Sequence, residues 1–258
     1  MHIVVCLKQV PQQNSVKINT NLSINADGIE RIISLFDEYA LEEALLLNEK
    51  HGGQVTVLSI GGDDTKESLR RALAMGATDA LLLSDPSLEG TDVLGAARAA
   101  AAAIRKLGNV DLVICGRNST DDESGAFGPS LARLLGWAQA TYVGKVHDLA
   151  GGVVKVERHL EDQIQTVAAR LPALLSFVKG SNEPRYPSLL RIRKVAKVEI
   201  PTWGAADLGL SAADLAPVAA LSQRVPPPPR PSGEIFNSGT AAEKVQKLVA
   251  KLAETQTI

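Results

Sequence analysis

The chain has 258 residues, of which 45% are hydrophobic and 22% charged, and its formal net charge at pH 7 is -2. These values describe a protein that buries a substantial core, and they exclude the strong positive field that would attract nucleic acids or an anionic membrane. The length fits one large α/β domain with an appendage as well as it fits two domains.

The cysteines and the N-terminus bear on the cellular compartment. Cys6 and Cys115 lie in apolar runs and form no C-x-x-C pair, which favours buried, reduced thiols. The N-terminus lacks the pattern of a signal peptide, and no run reaches the roughly 18 apolar residues of a membrane helix. We therefore expect a cytoplasmic protein, or a mitochondrial matrix protein if the source is eukaryotic, with no direct membrane insertion and no bound nucleic acid.

The first part of the chain alternates between apolar strand-like runs and amphipathic helical runs. The predicted strands are HIVVCL, QVTVLSI, DALLLSD and VDLVICG. The predicted helices are LFDEYALEEALLLNEK, KESLRRALAM and TDVLGAARAAAAAIRKL, the last with Thr91 or Asp92 as its N-cap. Because parallel strands joined by helices need right-handed crossovers, this α/β pattern predicts a doubly wound, mostly parallel sheet of the adenine-nucleotide-binding type.

The pattern changes after a short helix at GPSLARLLGW. Strand-like runs then follow one another around a Gly-Gly turn at 151–152, which indicates an antiparallel extension of the sheet. Four consecutive prolines within 223–231 exclude a regular helix or an interior strand, and AAEKVQKLVAKLAETQ then regains helical spacing. We therefore divide the chain into an α/β nucleotide-binding domain at 1–199 and an extended C-terminal arm and helix at 200–258.

The stretch ICGRNSTDDESGAFGP at 114–129 joins a predicted strand to a helix. Ligands of open parallel sheets bind beyond the carboxyl ends of the strands, so this loop and the loops after Leu7 and Ile60 form the expected site. Small residues at 124–128 let the backbone approach a phosphate, and the helix N-terminus favours the anion. The acids at 121–123 leave three interpretations open: capping of the helix, contact with a nucleotide, and metal binding or catalysis.

The chain shows no recognisable pair of nucleophile and base. It has neither a G-x-S-x-G elbow nor a G-x-x-x-x-G-K-[ST] phosphate loop, and its four histidines lack metal-ligand spacing. We therefore expect a binding protein without covalent catalysis and without a metal site.

A second stretch, NEPRYPSLLRIRKVAKVEI at 182–200, suggests a contact with another protein. Pro184 and Pro187 predict an exposed loop that carries Leu189 and Leu190 and is followed by basic residues. Such a loop suits docking to a partner. The alternative is that the leucines fold back onto the core.

Several segments carry a resemblance to a known family. VVCLKQVP, LFDEYALEEAL, SLRRALAMGATDA, ICGRNSTDDESGAFGP and SNEPRYPSLLRIRKVAKVEIP together resemble the beta subunits of the electron transfer flavoproteins over nearly the whole chain. The resemblance implies a heterodimer in which the alpha subunit holds most of a redox-active FAD, while this subunit cradles the FAD domain and binds AMP. It also implies electron transfer from donor dehydrogenases, such as acyl-CoA dehydrogenases, to a quinone oxidoreductase or another acceptor.

The resemblance further implies roles for individual positions. The residues expected to contact the nucleotide are Cys6, Ser34, Ile60, Gly116, Asp121, Ser124, Gly125, Ala126, Phe127 and Gly128. Phe36 is expected near the FAD of the alpha subunit. The residues expected to dock a partner are Asn182, Glu183, Pro184, Arg185, Tyr186, Leu189, Arg191 and Lys194, with Leu189 at the position that inserts into a dehydrogenase pocket.

The loop at 121–128 departs from the pattern that is common in the family. Glu123 stands where a third aspartate is usual, and 125–128 replace an Asn-Gln-Thr-Gly stretch, which leaves backbone amides as the expected phosphate ligands. The bifurcating branch of the family holds a second FAD in place of AMP and an NADH site, and its loop reads Asp-Gly-Asp-Thr-Ala-Gln-Val-Gly. Because this chain lacks the Gly after the first Asp and lacks the Gln, we expect AMP. The second FAD with an NADH site is one alternative, and an adenine-nucleotide-binding enzyme or stress-protein-like module is another.

Overall fold

The computed structural model describes residues 1–12, 17–22, 24–25, 27–218, 225 and 233–255. The chain divides into two compact units, Met1–Ser222 and Gln223–Ile258. The predicted arm at 223–231 lies outside the described residues, apart from Val225.

The first unit contains all the strands and six of the seven α-helices of the described residues. The strands are β1 His2–Leu7, β2 Gln9–Pro11, β3 Lys17–Ile18, β4 Ile24–Asn25, β5 Arg31–Ile33, β6 Gln54–Ile60, β7 Asp79–Leu83, β8 Leu112–Gly116, β9 Ala138–Ala150, β10 Val153–His159, β11 Ile164–Arg170, β12 Ala173–Phe177 and β13 Thr202–Trp203. The helices are α1 Leu35–His51, α2 Thr65–Met75, α3 Val93–Leu107, α4 Phe127–Leu135, α5 Leu189–Val195, α6 Ala212–Leu215 and α7 Ala241–Glu254, with short 3-10 helices at Pro86–Leu88 and Ala206–Leu208.

Nine strands form one large sheet in the order β11-β10-β9-β12-β8-β1-β6-β7-β13. The central strand β1 pairs in parallel with β6 and β8, so that Cys6 lies opposite Leu58 on one side and Cys115 on the other. Only the pairs β9/β10 and β10/β11 of this sheet are antiparallel, and they lie at one edge. The mostly parallel sheet with an antiparallel extension confirms the predicted fold class.

The two faces of the sheet carry separate hydrophobic cores. Leu41 of α1 and Val5 of β1 belong to one core, while Ile104 of α3 and Val4 of β1 belong to the other. Neighbouring residues of β1 therefore face opposite cores, as the two-residue period of a strand requires. Each fully buried side chain of this size contributes about 1.5–3 kcal/mol to folding, and the two cores together hold the strand ends of β1, β6 and β8 in a fixed arrangement.

Two local expectations differ from the structure. The predicted loop at 182–200 contains the helix α5, which begins where the Ser188 hydroxyl accepts the Arg191 amide hydrogen at 3.3 Å. Beyond residue 200 the sequence shows no strand pattern, yet β13 pairs with β7 and forms the edge of the large sheet. A strand of two residues is too short to show the alternation on which the sequence prediction depends.

The second unit consists mainly of α7. Thr240 and Glu243 form a reciprocal capping box at its start, with the Glu243 carboxylate accepting the Thr240 amide hydrogen at 2.7 Å. Val245, Leu248 and Val249 are exposed on this helix. The predicted C-terminal helix is thus confirmed, and its apolar side chains are left uncovered within the described residues.

Helices that meet the length and apolarity requirements for crossing a bilayer are absent from the described part of the chain.

Candidate functional site

A cavity of about 270 Å³ lies at the carboxyl ends of β1, β6 and β8. Its wall includes Leu7, Ile60 and Gly116, which are the last residues of these three strands. The first residues of α3 line it as well. Small-molecule sites span roughly 300–1,000 Å³, so the cavity is near the lower end of that range. The three loops that the sequence predicts as the ligand-binding edge therefore meet around one cavity.

Two helix N-termini border this cavity, and they differ in capping. At α3 the Asp92 carboxylate accepts the amide hydrogens of Leu94 at 3.0 Å and Gly95 at 2.8 Å. At α4 the N-cap residue is Ala126, whose side chain offers no acceptor, and the amides at 125–128 meet none within the described residues. An uncapped helix start keeps its N–H donors and the positive end of its dipole free for an anion.

The turn that precedes α4 contains two residues with an unusual backbone conformation. Glu123 and Gly125 both lie in the left-handed region, with φ of 52° and 62°. The amide of Ser124, between them, donates to the Asp122 carboxylate at 2.9 Å. Residues in the left-handed region are typical of the turns that form anion-binding nests.

Two of the three acids of the loop pair with one lysine. The Lys8 ammonium lies 2.8 Å from Asp121 and 3.2 Å from Asp122. Partial burial favours the neutral amine, but the two carboxylates outweigh it and raise the pKa of Lys8 above its ordinary value. The prediction that Asp121 or Asp122 caps the following helix is wrong, because both side chains are engaged before the helix begins. Within the described residues, no group of three or more His, Cys, Asp or Glu is arranged to hold a metal ion.

The residue that the sequence analysis missed is Asp37, on the first turn of α1. One carboxylate oxygen accepts the amide hydrogen of Lys8 and the other that of Gly116, both at 2.8 Å. Lys8 directly follows β1, and Gly116 is the last residue of β8. The Asp37 side chain therefore joins two of the strand ends that border the cavity. Burial raises the pKa of Asp37 to about 7. The sequence does indicate that Asp37 is buried. It precedes Leu41 by four residues and therefore lies on the same, otherwise apolar, face of the predicted helix.

The predicted nucleotide residues fall into two groups in the structure. Those that line the cavity are Cys6, Ile60, Gly116, Ser124, Gly125 and Phe127. The others lie beside it. Ser34 is buried and its hydroxyl accepts the Thr120 amide hydrogen at 3.3 Å, and a Cβ added at Gly128 would approach the Cys115 sulfur to 3.1 Å. Asp121 pairs with Lys8, and Ala126 is the N-cap of α4. Lining residues that the sequence did not indicate come from several elements, including Asp37 of α1, Leu58 of β6 and Val93 of α3.

The segment at 182–200, which we call the leucine-bearing segment, exposes most of its large apolar side chains. Leu189 and Leu190 are 76% and 79% exposed, and Tyr186 is 90% exposed. The alternative that the leucines fold back onto the core is therefore wrong. Glu183 and Lys194 are exposed as well, while Pro184 is half-buried.

The same segment is anchored to the body of the protein by its own polar side chains. The Arg185 guanidinium binds the buried Glu42 carboxylate of α1, with contacts of 2.8–3.1 Å, and also pairs with Glu49. The Asn182 amide donates to the carbonyl of Tyr39 at 3.0 Å. Arg191 likewise donates to the carbonyl of Met75, at 3.2 Å. Arg185 and Arg191, both predicted to dock a partner, are thus engaged with their own chain.

Replacement of Asp37 tests the hydrogen bonds that join the ends of β1 and β8. We expect Asp37→Asn to lower the free energy of unfolding by about 1–3 kcal/mol, because an amide side chain presents an N–H to one of the two backbone N–H groups. Urea denaturation of the purified protein measures this loss.

The pH dependence of the same variant tests the buried ionisation. The pKa of Asp37 rises from 3.8 to about 7 on folding, so between these values the native state holds a proton that the unfolded chain releases. Asp37 therefore lowers stability as pH rises from about 4 to 7, by at most about 1.4 kcal/mol per pH unit, and this contribution disappears in the variant. Equal slopes of stability against pH for the two proteins would contradict the assignment.

Replacement of Arg185 tests the anchor of the leucine-bearing segment. Arg185→Met removes the charged partner of the Glu42 carboxylate, which is 4% exposed, and leaves it only the backbone amide of residue 185 at 3.0 Å. We expect a loss of about 1–3 kcal/mol in stability together with faster chymotryptic cleavage near Tyr186. The control is Arg193→Met on α5, an exposed arginine, for which we expect a change within about 0.5 kcal/mol. Similar behaviour of the two variants would show that the Glu42 contact does not hold the segment.

Comparison with known proteins places the chain in a family. A model of the electron transfer flavoprotein domain matches residues 21–208. The chain is 39% identical to the electron transfer flavoprotein subunit beta of Thermoanaerobacterium thermosaccharolyticum, over 98% of both chains. It is 40% identical to protein FixA of Azorhizobium caulinodans, over 81% of this chain and 77% of FixA. It is 35% identical to the caffeyl-CoA reductase-Etf complex subunit CarD of Acetobacterium woodii, over the full length of both.

These matches agree with the α/β fold, and they cover the strand-end cavity together with the leucine-bearing segment. They also confirm the resemblance found in the sequence. The chain belongs to the electron transfer flavoprotein family, among its beta subunits, and its role is electron transfer.

Proposed function

We propose that the chain is the beta subunit of a heterodimeric electron transfer flavoprotein, that it binds AMP in the strand-end cavity, and that it cradles the FAD domain of an alpha subunit. In this role it carries electrons from donor dehydrogenases to a quinone oxidoreductase or another acceptor and catalyses no substrate chemistry of its own. The observation that carries the nucleotide assignment is the uncapped start of α4 at the cavity.

The chemistry of the cavity suits a small adenine nucleotide. The amides of Gly125 and Phe127, which line the cavity, supply donors for one phosphate group, and Lys8 pairs with two of the three loop acids. Leu58, Ile60 and Leu88 give the opposite wall an apolar surface against which a purine would pack. A volume of about 270 Å³ favours AMP over the much larger FAD.

Electron transfer itself would be supplied by the FAD that the alpha subunit holds. The contribution of this chain is to position that cofactor and to present a surface to donors. Phe36, half-buried on the first turn of α1, lies at the same edge of the sheet as the cavity and supports the proposed contact with the FAD. The exposed apolar residues of α7 support a contact between the C-terminal helix and the alpha subunit.

A second candidate function follows from the similarity to CarD, a subunit of a caffeyl-CoA reductase-Etf complex, over the full length of the chain. In that case a second FAD takes the place of AMP, and an NADH site lies beside it. Nucleotide extraction from the purified heterodimer, with native mass spectrometry, separates the two candidates. One FAD and one AMP support the proposal, whereas two FAD and no AMP overturn it. Purification of a colourless, ATP-hydrolysing homo-oligomer would instead support an adenine-nucleotide-binding enzyme.

A carboxylate placed at the start of α4 tests the phosphate site directly. We expect Ala126→Asp to lower AMP retention by tenfold or more, because the new charge repels the phosphate and competes for the same amides. The control is Ala126→Val, which adds bulk with neither a charge nor a hydrogen-bond acceptor. Equal AMP content in the two variants, measured by chromatography after denaturation, would place the phosphate elsewhere.

Truncation of Leu189 tests donor docking. We expect Leu189→Ala to raise the KM for the donor dehydrogenase roughly tenfold or more, since burial of a leucine contributes about 2 kcal/mol to an interface. The flavin content should stay unchanged. Ile164→Ala, which truncates a similarly exposed residue of β11, is the matched control. An unchanged KM in the Leu189 variant would contradict the docking role.

A further inference from the structure

Arg117, the first residue after β8, is held between two aromatic rings. Its guanidinium carbon lies 5.6 Å from the ring centroid of Phe36 and 5.2 Å from that of Tyr142. Its Nε also donates to the Asn118 side-chain oxygen at 3.0 Å. The two ring contacts have cation–π geometry, and with the hydrogen bond they fix the position of the charge. We call Phe36, Arg117 and Tyr142 the Arg117 cluster.

The backbone of β9 is distorted at the residue that completes the cluster. Ala140 lies opposite Leu175 and Val143 lies opposite Phe177, so two residues of β9 face a single residue of β12. Tyr142, inside this bulge, has a φ of 60°, which is unfavourable for a residue with a large side chain. Bulges re-aim side chains, and strained backbone of this kind is concentrated at functional positions.

The positive charge of the cluster is unpaired within the described residues. No carboxylate of the described residues forms an ion pair with Arg117, and the nearby Asp121 and Asp122 pair with Lys8. The remaining residues of the chain contain no Asp or Glu. Arg117 is half-buried and its terminal nitrogens are not hydrogen-bonded within the described part of the chain, so the guanidinium fork is available to an external oxyanion.

We propose that the Arg117 cluster is a contact site for a carboxylate side chain of the alpha subunit. The proposal rests on the heterodimer proposed above. Arginine and tyrosine in a partly buried setting are the residues that dominate protein interfaces, and an unpaired cation is complemented by an acidic group. Arg117 also lines the cavity, but Phe36 and Tyr142, the two rings that hold its guanidinium, do not. The charged end is therefore placed at the aromatic side of the cluster, apart from the amides at 125 and 127 that face the proposed phosphate site.

Three variants of the full chain test the contact, each assembled with the alpha subunit. We expect Arg117→Gln to raise the Kd of the heterodimer about tenfold or more and to flatten its dependence on salt, because a charge pair is lost. Tyr142→Gly removes the ring at a position whose backbone suits glycine, so the variant folds, and its Kd should rise severalfold. Arg133→Gln, which removes an equal charge from the exposed end of α4, should leave the Kd unchanged.

The outcomes separate this contact from the proposed function. A Kd for Arg117→Gln within twofold of the wild-type value, in a complex that still contains FAD, overturns the contact and leaves the heterodimer standing. A weakened complex in which the midpoint potential of the bound flavin also shifts identifies the anion as the reduced flavin and overturns the carboxylate. If the wild-type chain binds no FAD protein, both the proposed function and the contact fail.

Discussion

The site depends on one buried carboxylate. Asp37 accepts an amide hydrogen from Gly116, at the end of β8, and another from Lys8, just after β1. It thereby fixes the ends of these two neighbouring strands at the border of the cavity. A carboxylate is required because only a group with two acceptor oxygens satisfies two donors that converge from different strands. The arrangement has a cost, since desolvation of the charge offsets part of what the hydrogen bonds contribute. The same helix, through Glu42, also holds the segment that carries the exposed leucines, so α1 organises both functional surfaces.

Charge is distributed in this region by pairing within the chain. Lys8 pairs with Asp121 and Asp122, and Asp92 caps the start of α3. In contrast, the amides at the start of α4 have no acceptor and the guanidinium of Arg117 has no counter-ion within the described residues. An acidic stretch that in sequence suggests repulsion of phosphate therefore lies beside N–H donors and a guanidinium that have no partners within the described residues. The sign of the field at a site is set by which charges remain unpaired, and the composition of the loop does not show it.

The sequence was sufficient for features that depend on local periodicity. Alternating strands and helices gave the sheet, and the rule that ligands bind at carboxyl strand ends led to the loops after Leu7, Ile60 and Cys115. Features that depend on contacts between distant residues were missed. Asp37 gains its role from amides 29 and 79 positions away, and Arg185 is committed to Glu42, 143 positions away. The position of Tyr142 follows from a bulge and a positive φ, neither of which leaves a pattern in the amino-acid types.

The unequal capping of the two helices gives the cavity a polarity. With α3 closed by Asp92 and α4 open, an elongated ligand with one anionic end meets a donor-rich terminus on one side only. The side chains at 92 and 126 would therefore decide which side of the cavity receives the anionic end of such a ligand.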